Sequence, residues 1–279
     1  MQYVQLNNGV EMPILGYGVY QIDPAACARC VGDAIRIGYR SIDTAQAYRN
    51  EEGVGEAVRR SGLARGEFFI TNKIWISNAG EQRARASIEE SLRKLGSDYV
   101  DLLLIHQPFG DYYGTYRAME EALAEGKARA IGVSNFYPDR FIDLATFCDI
   151  KPAVNQVETH VFNQQREAQR IMERFGTQIM SWGPFAEGRN GLFTNETLRA
   201  IGERHRKSAA QVALRFLIQR GVVVIPKSTH AERMRENFEL FDFALDEKEM
   251  EAIEALDRGQ SLFFSHYDPE TVEYLLNYR

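Results

Sequence analysis

The chain has 279 residues, with 33 Lys+Arg against 39 Asp+Glu, a formal charge of −6 and 44% hydrophobic residues. A chain of that length can bury a sizeable core, and the acidic balance argues against a nucleic-acid partner, which would call for a basic face. The first residues, MQYVQLNNGVEMPILG, hold no basic segment followed by a long apolar run, so no leader and no membrane contact are expected and the protein is read as cytoplasmic.

The elements follow in order. Residues 4–6 and 10–12 flank Asn7-Asn8-Gly9, a hairpin signal, and this hairpin is expected to cover one end of a larger body. Residues 14–20 then read as the first core strand. Its GYGVYQ places Gln21 where the third glycine of G-x-G-x-x-G belongs, so the Rossmann dinucleotide fingerprint fails. Asp23 is placed to cap a helix over 24–38 that has Pro24 at its first position. Cys27 and Cys30 form a lone C-x-x-C on that helix, without the second pair a zinc site needs, and Cys148 stands apart. Reduced, buried thiols are expected, with no metal and no disulfide.

From there strand and helix patterns alternate: strand 40–43, helix 51–60, strand 68–73, helix 81–95, strand 100–106 and helix 115–125. Strand 130–133, helix 138–147, strand 153–157, helix 165–175 and strand 178–182 continue the series. Helices over 195–204 and 208–219, a last strand at 222–225, and helices over 231–238 and 246–256 complete it. Eight strands, each followed by helix, predict an α/β fold: a single eight-stranded parallel (β/α)8 TIM barrel over residues 1–279. The tail, 257–279, is rich in aromatic residues and is expected to fold back over the barrel mouth.

In such a barrel, active sites sit at the carboxyl ends of the strands. Those ends carry Asp43, Lys73, His106, Asn135, Gln156, Trp182 and Lys227, with Tyr48 five residues beyond Asp43. The first group suggests proton donation: an ammonium at Lys73 would favour the phenolate of Tyr48 and lower its pKa, Asp43 would hold Lys73 charged, and His106 would hydrogen-bond a substrate oxygen. One His and one Asp without H-E-x-x-H do not make a zinc site, and no G-x-S-x-G or Walker pattern appears.

Taken together, GYRSIDTAQAYRNE, the lysine of FFITNKIW, LLLIHQP, AIGVSNF, VNQVE and IPKS with the following Arg233, Glu236 and Asn237 resemble the aldo-keto reductase superfamily. The resemblance runs from the hairpin to the tail and is nearest to the bacterial 2,5-diketo-D-gluconate reductase branch. It implies NADP(H) as cofactor and a small carbonyl compound as substrate, in a monomer. Tyr48 would be the general acid, Asp43 and Lys73 its tuners and His106 the carbonyl-orienting donor. Ser134, Asn135 and Gln156 would hold the nicotinamide carboxamide, and Trp182 would stack on its ring. Gly18, Val19 and Asp43 would border the cofactor, and Gly183, Pro184, Phe185 and Glu187 would line the pyrophosphate. Lys227, Ser228, Thr229 and Arg233 would clasp the 2′-phosphate, with Glu236 and Asn237 near the adenine. Tyr20, Trp75, His106 and Gln107 would shape the substrate pocket. The alternative is a non-enzymatic, nucleotide-sensing subunit on the same barrel, against which the intact Asp43, Tyr48, Lys73 and His106 set counts.

Overall fold

The apolar runs that alternate with helices pair side by side, each strand hydrogen-bonded to the next in sequence. In the computed structural model, which describes residues 2–278, a hairpin of β1 (Tyr3–Gln5) and β2 (Glu11–Pro13) comes first, with Val4 opposite Met12. Eight parallel strands follow: β3 (Tyr17–Gly18), β4 (Ser41–Asp43), β5 (Phe69–Ile74), β6 (Val100–Ile105), β7 (Ala128–Ser134), β8 (Val154–Glu158), β9 (Gln178–Trp182) and β10 (Val223–Val224). The sheet runs β3 to β10 in chain order and closes on itself through a parallel bridge between Leu15 and Val224. Gly16 N donates to Val224 O at 2.8 Å, and Val224 N to Ile14 O at 2.9 Å. At this seam a Cβ on Gly18 would come within 2.9 Å of the Ile225 carbonyl oxygen, so only glycine lets the two backbones approach. The seam strands are shorter than the apolar patterns at 14–20 and 222–225 because one bridge, rather than a long ladder, closes the barrel.

The helices lie between the strands: α1 (Pro24–Ile37), α2 (Glu51–Arg60), α3 (Glu81–Leu95), α4 (Tyr112–Ala124), α5 (Pro138–Phe147), α6 (Arg166–Glu173), α7 (Glu196–His205), α8 (Ala209–Gln219), α9 (Ala231–Phe238), α10 (Glu247–Glu254) and α11 (Pro269–Asn277). Asp23 caps α1 as expected, its carboxylate accepting from Ala25 N at 2.8 Å. Helix α4 starts earlier than 115 because the Asp111 carboxylate caps it by accepting from Gly114 N at 2.8 Å. Helix α6 starts after Gln165, whose φ of 52° is left-handed and excludes it from the helix. The tail was expected only to fold back; it also forms α11, capped by Asp268 with Pro269 next to it.

The core is the barrel interior together with the layer between strands and helices. Leu102, Leu103 and Leu104 of β6 are all buried, as a strand covered on both faces requires. Cys27 and Cys30 are free and buried in the packed face of α1. Burial pushes the Cys27 thiol up to about 12, an inert protonated group rather than a redox one. The hairpin crosses the amino ends of the strands: Asn8 Nδ2 donates to Arg129 O at 2.9 Å and Asn7 Nδ2 to Pro152 O at 3.1 Å. That leaves the carboxyl ends as the open mouth.

Candidate active site

Strand β4 ends on Asp43, and a single 3-10 turn, Gln46–Tyr48, then returns Tyr48 over the mouth. The neighbouring strand β5 carries Lys73, whose side chain is fully buried. Its Nζ lies 2.5 Å from Asp43 Oδ1, 3.1 Å from Thr44 O and 3.3 Å from the Tyr48 hydroxyl. All three ammonium donors are therefore directed, one of them at the phenolic oxygen. The second oxygen of Asp43 accepts from Gln156 Nε2 at 2.8 Å. His106 follows β6, with its ring edge-on to Tyr48 at 5.5 Å and to Trp75 at 5.0 Å. Four side chains, Asp43, Tyr48, Lys73 and His106, delivered by three adjacent strands, thus meet at one floor.

Burial decides the protonation states here. It pushes the Tyr48 phenol well above its ordinary range, and the carboxylate of Asp43 adds to the effect. This corrects the expectation that Lys73 would lower that pKa. The ammonium does donate to the phenolic oxygen, but its charge is already matched by Asp43 at 2.5 Å. What remains is a neutral phenol that keeps its proton. Burial also pulls the Lys73 ammonium below its usual value, with Asp43 opposing. It pulls His106 well below the imidazole range, helped by the Lys73 charge. His106 is therefore a neutral ring, and its Nδ1 is buried without a partner among the described residues.

Above the floor opens a cavity of about 640 Å³. One wall is Trp182, at the end of β9, whose indole Nε1 donates to Asn135 Oδ1 at 2.8 Å. Asn135 sits just after β7 with φ at 63°, a left-handed turn that Asn tolerates, and its amide donates to His106 O at 3.0 Å. Beyond Trp182, Gly183 adopts φ 62° and turns the chain along the cavity through Pro184 and Phe185. The opposite rim is the tail. Phe264 stacks on Trp182 at 6.2 Å, and Phe263 meets it edge-on at 5.2 Å. The tail is tied down by Glu158 of β8, which accepts from Ser261 Oγ at 2.5 Å and Leu262 N at 2.9 Å. A second tie is Arg189, which donates to Leu262 O and lies over the Phe263 ring at 4.2 Å.

Residues 14–258 match the Aldo/keto reductase family. The chain belongs to that family. It is 46% identical over 259 residues to the glyoxal reductase of Bacillus subtilis, covering 92% of this chain and 93% of that one. Among solved structures, an aldo-keto reductase from a Medee basin deep-sea metagenome library superposes with a TM-score of 0.93 at 40% identity, over 95% of this chain and 98% of the other. The aldo-keto reductase of Bombyx mori, solved in complex with NADP, superposes with a TM-score of 0.88 at 34% identity, over 93% and 94% of the two chains. The fold is therefore the TIM barrel of the aldo-keto reductases. These relatives do not single out the 2,5-diketo-D-gluconate branch named from the sequence.

Of the residues that the sequence singled out, this aldo-keto reductase brings Gly18, Tyr20, Asp43, Tyr48, Trp75, His106, Gln107, Ser134, Asn135, Gln156, Trp182, Gly183, Pro184, Phe185, Glu187 and Lys227 to the cavity lining. Others stand off it. Val19 is buried, its carbonyl accepting from Asn50 Nδ2 at 3.0 Å. Ser228 is buried, with its hydroxyl accepting from His230 N at 3.1 Å. Glu236 accepts from Ser208 Oγ, Asn237 is buried, and Thr229 is half-buried. Arg233 is exposed on the first turn of α9. Arg233 and Lys227 are cations without an ion-pair partner among the described residues. The Gln156 amide is spent on Asp43, so any contact it makes with a ligand must come through its other atoms. Sequence reading missed Gln21, Arg189 and Phe193, which line the cavity, as do Leu275 and Tyr278 of the tail beside Tyr274, one of the aromatic residues expected over the mouth. The only signal for the last three was the aromatic density of the tail.

Proposed function

We propose that this protein is an NADPH-dependent reductase that converts small aldehydes or ketones to alcohols, with Tyr48 as the general acid. The observation that carries the reading is the joint arrangement of Asp43, Lys73, Tyr48 and His106 at the floor of the cavity. Trp182 and Asn135 would hold a reduced nicotinamide, which would supply the hydride. The residues of the chain do the rest. Tyr48 keeps its proton in the ground state because burial favours the neutral phenol. As negative charge grows on a carbonyl oxygen at the floor, that proton is in place to neutralise it, and the Lys73 donor on the phenolic oxygen stabilises the phenolate left behind. Gln156 and Asp43 keep Lys73 in register. His106, held neutral, offers a second hydrogen bond to the same oxygen without adding a charge. Lys227 and Arg233 form the proposed 2′-phosphate clasp. Naming a carbonyl substrate agrees with the relative named a glyoxal reductase.

The test is turnover of purified protein with NADPH, then NADH, over a panel of aldehydes and ketones. NADPH oxidation that depends on the carbonyl, together with recovery of the alcohol, is the expected result. Tight nucleotide binding without turnover of any carbonyl would instead favour a nucleotide-sensing subunit.

A further inference from the structure

One lining residue of the floor is held from an unexpected direction. Gln107 follows His106 directly, is buried, and lines the cavity. Its Oε1 lies 2.7 Å from Nε2 of His266, which comes from the tail. The other ring nitrogen, Nδ1, lies 3.3 Å from the hydroxyl of Tyr137, and that hydroxyl also accepts from the backbone N of His266 at 3.4 Å. Since the Tyr137 oxygen accepts there, its own proton is free to go to Nδ1. Nδ1 is then an acceptor, so Nε2 carries the ring proton and donates to Gln107 Oε1. Burial, with Arg140 assisting, pulls His266 down to about 4, so the ring is neutral and has one donor and one acceptor. The ring is clamped between neighbours: it stacks on Phe109 at 5.8 Å and meets Tyr137 edge-on at 5.2 Å.

This relay fixes which way the Gln107 amide points. With Oε1 engaged, the Nε2 hydrogens are left to the cavity that Gln107 lines. We propose that Gln107, oriented by His266 and Tyr137, is a second-oxygen subsite. It donates a hydrogen bond to a neutral oxygen adjacent to the reacting carbonyl and so selects 2-oxoaldehydes over simple aldehydes. A neutral oxygen fits better than a carboxylate, because the cations around the site are already engaged: Lys73 with Asp43, Arg189 with the tail, and Arg140 with the Pro108 carbonyl and the Phe109 ring. The proposal rests on the carbonyl-reductase reading above and adds the substrate class to it.

The experiment compares methylglyoxal with propanal, which share a three-carbon chain and an aldehyde but differ in one oxygen. The readout is the ratio of their kcat/KM values in wild type, Gln107→Met and His266→Phe. Each substrate is compared with itself across proteins, so its hydration in water cancels. The ratio should fall by about five- to tenfold in Gln107→Met, the size of one neutral hydrogen bond. It should fall in the same direction in His266→Phe, which keeps an aromatic ring against Phe109 but frees the amide. A His266 that only packs the tail would leave the ratio unmoved. Ratios within twofold of wild type in both variants overturn the subsite while leaving the reductase reading intact. A wild type that reduces neither compound overturns both.

Discussion

Replacing Lys73 by Met removes the ammonium from a fully buried position and leaves the Asp43 carboxylate, itself 2% exposed, without its counter-ion. Gln156 still donates to Oδ2, but Oδ1 then faces hydrocarbon. Breaking a buried pair from one side costs about 3–5 kcal/mol, more than the pair itself contributes relative to two apolar groups. For a domain of this size each kcal/mol moves the melting point by roughly 2–4 °C, so Lys73→Met should melt about 6–20 °C lower than wild type. The double variant Asp43→Asn, Lys73→Met removes both charges and keeps an acceptor for Gln156. It should recover at least half of that loss in stability and none of the activity. Thermal unfolding followed by circular dichroism, with urea unfolding as the check, measures both. A Lys73→Met protein that melts within 2 °C of wild type would refute the reasoning. So would a double variant no more stable than the single one, since either result means that Asp43 is not a charge in need of a partner.

Two further outcomes follow from the site. Arg233→Ala should weaken NADPH binding by about ten- to a hundredfold, the worth of a charge-assisted contact of about 1.5–3 kcal/mol, and hardly change NADH binding; titration of both cofactors decides it. The pH profile follows from two opposite shifts: the depressed His106 stays neutral as pH falls through about 6.5, and the raised Tyr48 stays protonated as pH rises through about 10. Reduction at saturating cofactor should therefore vary by no more than about twofold between pH 6 and 9, and a rate limb inside that window would contradict the assignment of protonation states. His266 also bears on stability. Its folded value is about 4, so below about pH 6.5 the unfolded chain binds a proton that the folded chain does not, and stability falls as the pH drops. The His266→Phe variant should show a shallower fall in melting point over that range.

The barrel was legible because its signals are local. Apolar runs such as 100–106, a capping Asp23 ahead of Pro24, and a polar residue at each strand end all lie within a few residues of one another. The floor residues could be named for the same reason, because a strand of known direction delivers its last side chain to a known face. What joins them could not be read. The Gln156 contact with Asp43 spans 113 positions and the His266 contact with Gln107 spans 159, so no window of sequence contains either pair. Burial was equally hidden. A lysine beside a tyrosine reads as a cation that makes the phenol more acidic, yet in the folded chain Asp43 offsets the charge and dehydration raises the phenol instead. Helix α11 had its signal in plain view, Asp268 before Pro269 with the Asp268 carboxylate accepting from Thr271 N, but the tail reads from its sequence only as an aromatic-rich segment folding back over the mouth.

The central claim is that the proton given to the carbonyl oxygen comes from Tyr48. Tyr48→Phe keeps the ring that packs against Tyr20 and His106 and removes only the hydroxyl that Lys73 reaches. Single-turnover reduction of an aldehyde with saturating NADPH, in wild type and Tyr48→Phe, isolates the chemical step. The account predicts a rate lower by roughly 10²–10⁴-fold with NADPH affinity retained. Rates that agree within a few-fold would contradict it, and the proton would have to come from another group.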